Sequence, residues 1–393
     1  MLRLDRSRPC PLRVPFPSRQ RPAIAAARRP RRAPGVAGAA SRSPLVAGCG
    51  GAADTTADAA ARPPDATSRP PDAATDATTD AAGPDAPPPT PPAGLPRWVV
   101  GDPADALAHP RAGLILMGGG TDVDAAFAWQ RDRIDGGDVL VLRASGGDGY
   151  DDYLFQDIGG VDSVETLRVD TAALAAEPYV RWAIDHAEAI FIAGGDQAVY
   201  TAAWANSPVA DALGDAWARG AVVGGTSAGC AILGEIVYTA ANGTVYSDEA
   251  LADPYDPYVT LTRDVVTLPP LAHVVTDTHF VPRDRMGRLL TFAGRAIADG
   301  WTSRPLGIGV DEATALVVDD DGTATVVGDG AVYIVAPDQP PTTCAAATPL
   351  AWSDVPLYVL RAGDTIALPS GDTAVAARTL SAAGGQLTPA DPY

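Results

Sequence analysis

The run Gly225-Thr226-Ser227-Ala228-Gly229 follows the apolar Ala221-Val222-Val223 and precedes Cys230-Ala231-Ile232-Leu233. A serine in that setting can be a nucleophile. Small neighbours permit a strained strand-to-helix turn that lifts Oγ, and the next backbone N–H faces a developing oxyanion. A chain with 40 glycines produces such a pattern by chance, so the flanking strand and helix-like run carry the weight. A serine nucleophile also needs a base, and the chain has four histidines. His109 beside Pro110 and His186 within a helical stretch read as structural. His273 and His279 share the run Leu271 to Phe280, where extended alternation would put His273, Val275, Asp277 and His279 on one face. Three ligands on one straight strand diverge, so no metal is expected there, and no cofactor is expected elsewhere.

Composition removes other chemistries. All 29 basic residues are arginine. Without lysine there is no phosphate-binding P-loop, no Schiff-base enzyme and no Ser-Lys hydrolase. The net charge of −19 is uneven: residues 97–393 hold 16 Arg against 40 Asp and Glu, a balance of −24. Such a surface repels phosphate backbones, so nucleic acid is not an expected partner. No window approaches 18 consecutive apolar residues, and no membrane-spanning helix is implied.

The elements that must position Ser227 follow from apolar runs that close on glycine. Leu114 to Met117 ends in Gly118-Gly119-Gly120, Asp138 to Leu142 ends near Gly146-Gly147, Ala189 to Ala193 ends in Gly194-Gly195, and Ala221 to Val223 ends in Gly224-Gly225. Continuous apolar runs read as parallel strands buried on both faces. Helical composition lies between them, over Ala125 to Asp132, Asp170 to His186 and Tyr200 to Arg219. The repeat predicts an α/β fold with a doubly wound parallel sheet, whose ligands bind at the carboxyl ends of the strands. Beyond residue 311, five short β-branched runs (Thr314 to Val318, Thr323 to Val327, Ala331 to Val335, Leu357 to Arg361 and Asp364 to Leu368) predict C-terminal antiparallel strands flanking the same core. A separate domain for them stays open.

The N-terminal part has another texture. Residues 1–49 form a basic leader with 11 Arg, ending in Leu45-Val46-Ala47-Gly48-Cys49. That ending resembles a bacterial lipobox, although Ser41-Arg42-Ser43-Pro44 interrupts the apolar region a signal would need. Residues 50–96 are almost entirely Ala, Asp, Pro and Thr. With almost nothing to bury, they predict a disordered linker. The expected organisation is a leader, a linker and a catalytic domain over 97–393. The corresponding location is the cell envelope or outside the cell, with a membrane tether if Cys49 is lipidated. A homodimer is one open assembly.

Several motifs together carry a family resemblance: Gly224 to Gly229, the turn Gly194-Gly195-Asp196-Gln197, the run Asp277-Thr278-His279-Phe280 with Arg283, Arg285 and Arg288, and Gly307 to Ala315 with Asp311-Glu312. In this order, over roughly residues 110–370, they resemble cyanophycinase and its relatives in the peptidase E family. The resemblance implies a flavodoxin-like, class I glutamine amidotransferase-like fold and a serine exopeptidase. It makes Ser227 the nucleophile, His279 the general base and Glu312 the acid that orients the imidazole. From the residues alone, Asp311 is as eligible as Glu312. The implied oxyanion hole uses backbone N–H groups at Gly195 and Ala228, and the implied substrate contacts are Gln197, Asp277, Arg283, Arg285 and Arg288.

The implied substrate is cyanophycin, a poly-aspartate carrying arginine on each side chain, cleaved to β-aspartyl-arginine dipeptides. Arginine forks suit its carboxylates, and acids suit its guanidinium groups. Thr278 stands where the cyanophycinase pattern has glutamine. An aspartyl or isoaspartyl dipeptidase of the peptidase E type is therefore an alternative. A catalytically silent surface protein that binds peptidic ligands is another.

Overall fold

The computed structural model describes residues 88–393. The leader with Cys49, and the linker up to residue 87, lie outside the described residues.

The buried apolar runs build the first of two mixed nine-stranded sheets. Across the first sheet the order is Arg97–Gly101, Ser163–Arg168, Val139–Arg143, Ala189–Ile192, Val222–Thr226, Gly113–Met117, Thr314–Asp319, Thr323–Gly328 and Thr365–Ala367. The five strands from Ser163–Arg168 to Gly113–Met117 are mutually parallel. Four of them are the runs expected from the sequence. Leu114, Ile115, Leu116 and Met117 are wholly buried, as a strand covered on both faces requires. The fifth, Ser163–Arg168, escapes sequence reading because its apolar residues are interrupted by Glu165 and Thr166. It lies near the sheet margin, next to the antiparallel strand Arg97–Gly101.

Two expected helices are each broken in two. The stretch 170–186 forms Ala172–Ala175 and Pro178–His186, and the stretch 200–219 forms Gln197–Trp204 and Pro208–Ala218. In both cases proline opens the second helix, where its missing N–H leaves no bond unmade.

The second sheet was not foreseen as such. Its order is Gln386–Thr388, Arg378–Ala383, Thr348–Arg361, Ala331–Val335, Leu306–Val310, Val274–Asp277, Ile236–Tyr238 and Leu261–Arg263, with Thr343–Ala345 paired off this path to Thr348–Arg361 as the ninth strand. The C-terminal strands do not all flank one core edge: Thr314–Asp319, Thr323–Gly328 and Thr365–Ala367 extend the first sheet, while Ala331–Val335 and Thr348–Arg361 join the second. One hydrophobic cluster takes side chains from both sheets, among them Leu116 and Val223 from the first and Ile308 and Ile334 from the second. Burial of this shared apolar surface holds the sheets together.

This two-sheet plan brings the chemistry together. Ser227 follows the strand Val222–Thr226 of the first sheet. His279 and Glu312 each lie two residues beyond the neighbouring parallel strands Val274–Asp277 and Leu306–Val310 of the second.

Candidate active site

Ser227 sits at the sharp turn between its strand and the short helix Ala228–Ala231, with φ 53° and ψ −118°. A non-glycine residue in this conformation is strained and is held there by its surroundings. Its N–H donates to the Met117 carbonyl at 3.1 Å. The turn is possible because Gly225 and Gly229 nearly touch: a Cβ on Gly225 would lie 2.6 Å from the Gly229 carbonyl carbon. This is the close approach that the glycines around Ser227 imply.

From this turn Ser227 Oγ lies 2.7 Å from His279 Nε2, and His279 Nδ1 lies 2.6 Å from Glu312 Oε1. His279 is itself left-handed, with φ 47°, as is His273, with φ 62°. The expected alternation of His273, Val275, Asp277 and His279 therefore does not run through the whole segment, since only Val274–Asp277 is strand. His273 is half-exposed, with Nδ1 3.4 Å from Glu235, while His279 is buried. His186 stacks on Trp182 and contacts the Trp182 carbonyl at 2.8 Å through Nδ1, a structural role.

Between the two acids that are equally eligible without the family resemblance, the backbone decides. Asp311 Oδ1 accepts the N–H groups of Glu312 at 2.8 Å and Val281 at 3.3 Å, so it braces the turn. Glu312 alone reaches the imidazole. Burial lowers the His279 pKa below the ordinary imidazole value, while the hydrogen bond to Glu312 opposes the shift and the nearby Arg283 and Arg285 charges reinforce it. A neutral imidazole facing Oγ is the state that can accept its proton.

The Gly118-Gly119-Gly120 loop, read from the sequence only as a strand end, touches all three side chains. The Gly118 carbonyl accepts the His279 N–H at 2.8 Å, and the Gly119 carbonyl accepts the Ala313 N–H at 3.1 Å. A Cβ on Gly119 would meet His279 and Ser227, and one on Gly120 would meet Glu312 at 3.0 Å. Three glycines directly after a buried strand were the available signal.

Gly194 and Gly195 lie on the other side of Ser227. A Cβ on Gly194 would stand 3.4 Å from Ser227 Cβ. The N–H groups of Gly195 and Ala228 donate to no backbone carbonyl in the turns and loops among the described residues, leaving them available to an oxyanion.

Beside Ser227 opens a pocket of about 450 Å³ whose walls include Gln197, Tyr238, Thr278, Arg283, Arg285 and Arg288. The Gln197 side-chain amide donates to the Tyr238 carbonyl. Asp277 does not face this pocket. It is buried beneath the arginines, where Arg288 grips it with Nε at 2.7 Å and Nη2 at 2.6 Å, and Arg285 Nη1 lies at 3.1 Å. Burial alone would raise the Asp277 pKa, but the Arg288 and Arg285 charges hold it below the ordinary carboxylate value. Burial pushes Arg285 down to about 10, still charged at neutral pH. Arg288 is thus a buried side chain rather than a helix-surface one, and Asp277 is the counter-charge that aims two arginines. Arg283 is exposed on the pocket wall and has no ion-pair partner among the described residues.

Comparison with known proteins gives this geometry a family. The model of peptidase family S51 matches residues 152–326, which contain Ser227, His279 and Glu312. The chain is 32% identical over 216 residues to cyanophycinases of Synechococcus elongatus and Thermosynechococcus vestitus, a match covering 54% of this chain and 62% of each relative's length. It is 30% identical over 218 residues to the cyanophycinase of Geminocystis herdmanii, covering 54% of this chain and 73% of that protein. Among solved structures, a peptidase from an acI-B1 Actinobacterium superposes with a TM-score of 0.44 and 20% identity, covering 66% of this chain and 98% of that one. With the family model lying across the residues that form the Ser-His-Glu chain, and a curated relative matched over most of its length, this chain belongs to peptidase family S51.

Proposed function

We propose that this protein is a serine exopeptidase that hydrolyses cyanophycin and releases β-aspartyl-arginine dipeptides. One observation carries the reading: an unbroken hydrogen-bonded chain from Ser227 Oγ through His279 to Glu312, starting at a serine held in a left-handed turn. As Oγ attacks the scissile carbonyl carbon, His279 Nε2 takes its proton, and the carbonyl electron pair moves onto oxygen opposite the Gly195 and Ala228 N–H groups. Glu312 stays ionised and stabilises the imidazolium. Collapse of the intermediate breaks the C–N bond, and the leaving amine takes the proton from His279. Water then attacks the acyl ester with His279 as base, and Ser227 is restored.

The pocket supports an anionic substrate. Arg285 and Arg288 are preorganised by Asp277, and Arg283, unpaired among the described residues, can meet a carboxylate. Gln197, anchored to Tyr238, offers its amide oxygen at the same wall. The five parallel strands also support reading the fold as the flavodoxin-like arrangement of class I glutamine amidotransferases.

A second reading, an aspartyl dipeptidase, is favoured by Thr278, which lines the pocket where the cyanophycinase pattern has glutamine. Incubation of the full chain with cyanophycin and, separately, with aspartyl dipeptides, each followed by mass analysis, separates the two. Release of β-aspartyl-arginine, lost in Ser227→Ala, is the expected result. Cleavage of aspartyl dipeptides alone would replace cyanophycin by the second reading, and cleavage of neither would overturn both.

A further inference from the structure

The loop that braces the catalytic residues continues past Gly120 into a second pocket, of about 460 Å³, walled by Asp122, Asp124, Arg143, Tyr150 and Tyr153. Chain neighbours of its walls lead back to the catalytic site. Gly120 abuts Glu312, and Ser145, whose carbonyl Arg143 Nε holds at 2.9 Å, has its Oγ 3.5 Å from where a Gly195 Cβ would lie. The charges in this pocket do not neutralise one another. Tyr150 donates to Asp122 Oδ1 at 3.1 Å and Tyr153 to Asp124 Oδ1 at 2.5 Å, and neither Oδ2 has a hydrogen bond among the described residues. Arg143 spends Nε and Nη1 on the Ser145 and Gly147 carbonyls and forms no ion pair among the described residues. Its guanidinium lies 5.8 Å from the centre of the Tyr150 ring.

Two carboxylates and one guanidinium, each held by neutral partners and not by each other, form a surface complementary to a ligand bearing both charges. Tyr150 and Tyr153 add aromatic surface to the wall, which a guanidinium can approach. We propose that this pocket is a second substrate subsite, binding the zwitterionic arginine of the unit next to the one in the catalytic pocket. Asp122 and Asp124 take its guanidinium, and Arg143 takes its α-carboxylate. The inference rests on the aspartyl-arginine reading of the substrate and adds that two consecutive units are recognised.

Binding separates the subsite from the chemistry. Full-length Ser227→Ala protein is titrated calorimetrically with a two-unit β-aspartyl-arginine oligomer, with the same oligomer carrying citrulline in place of arginine, and with the single-unit dipeptide. The arginine oligomer should bind more tightly than the citrulline one. Adding Asp122→Asn and Asp124→Asn should remove that preference, weakening the arginine oligomer about fivefold and leaving the dipeptide unaffected. If the double change unfolds the protein, the exposed Asp124→Asn alone carries the test. Equal loss for both oligomers, or no loss, overturns the subsite. Wild-type protein that binds with this charge dependence but cleaves no aspartyl peptide overturns the functional reading and leaves the subsite standing. Wild-type protein that cleaves cyanophycin without the charge dependence does the reverse.

Discussion

Gly119 lies so close to His279 that a Cβ there would stand 2.6 Å from Cε1 and 2.7 Å from Nε2 of the imidazole, with Ser227 Cβ at 3.1 Å. The loop therefore acts as a mould for the base and the nucleophile together. Its φ of 92° is one that a side chain rarely adopts. Gly119→Ala should push the imidazole off Oγ, lowering kcat by at least ~100-fold, since small misplacements of reacting groups cost that much. KM should change little, because the substrate pocket lies elsewhere. Steady-state kinetics on protein shown by circular dichroism to be folded checks this, and near wild-type kcat would refute it.

The pH profile should report His279. The base must be neutral, and burial lowers its pKa below the ordinary value of 6.5. The acidic limb of kcat/KM should then fall below that value, with activity retained at mildly acid pH. Glu312→Gln removes the partner that raises the imidazole pKa. It should move the limb lower still and reduce kcat on the order of 10²- to 10⁴-fold. A limb above 6.5, or one unmoved in the variant, would contradict the assignment.

Asp277 is buried against Arg285 and Arg288. Asp277→Asn leaves two buried guanidinium groups without their shared counter-charge. The expected loss of stability is about 3–5 kcal/mol, the usual cost of breaking a buried pair, measured by denaturant unfolding. Arg283→Gln provides the contrast: an exposed side chain without an ion-pair partner among the described residues should leave stability unchanged and raise KM for carboxylate-bearing substrates.

At the start of the strand Ala189–Ile192, burial raises the Glu188 pKa to about 7, with the Asp138 charge reinforcing the shift and the Asp138 backbone N–H and Arg219 opposing it. Between the ordinary 4.5 and 7, the folded state holds a proton that the unfolded chain releases. Stability therefore falls as pH rises through that window, by about 3 kcal/mol at most. Glu188→Gln keeps an oxygen for the Asp138 N–H, 2.7 Å away. It should flatten this slope and be more stable than wild type above pH 7, which unfolding curves at pH 4.5, 6 and 8 would test.

Strands buried on both faces were legible because a parallel strand in the middle of a sheet leaves no face for polar residues. Leu114 to Met117 could be little else. Ser163–Arg168, near the sheet margin, carries Glu165 and Thr166 and gave no such signal. The helix breaks at Pro178 and Pro208 were written in the sequence, yet helical composition on either side masked them.

For the site, the sequence by itself determined a serine between small residues after a buried strand and, through the absence of lysine, which chemistries were open to it. It placed His279 in a candidate run, and only the family resemblance, not the residue types, chose Glu312 over Asp311. Tertiary structure decided the rest, because the groups come from different sheets and no local pattern encodes a distance between them. The register of Val274–Asp277 against Leu306–Val310 sets His279 beside Glu312. Packing of the two sheets across a shared core brings both to Ser227. Burial then turned Asp277 from an apparent substrate contact into the counter-ion beneath two arginines, a distinction that depends on which atoms water can reach.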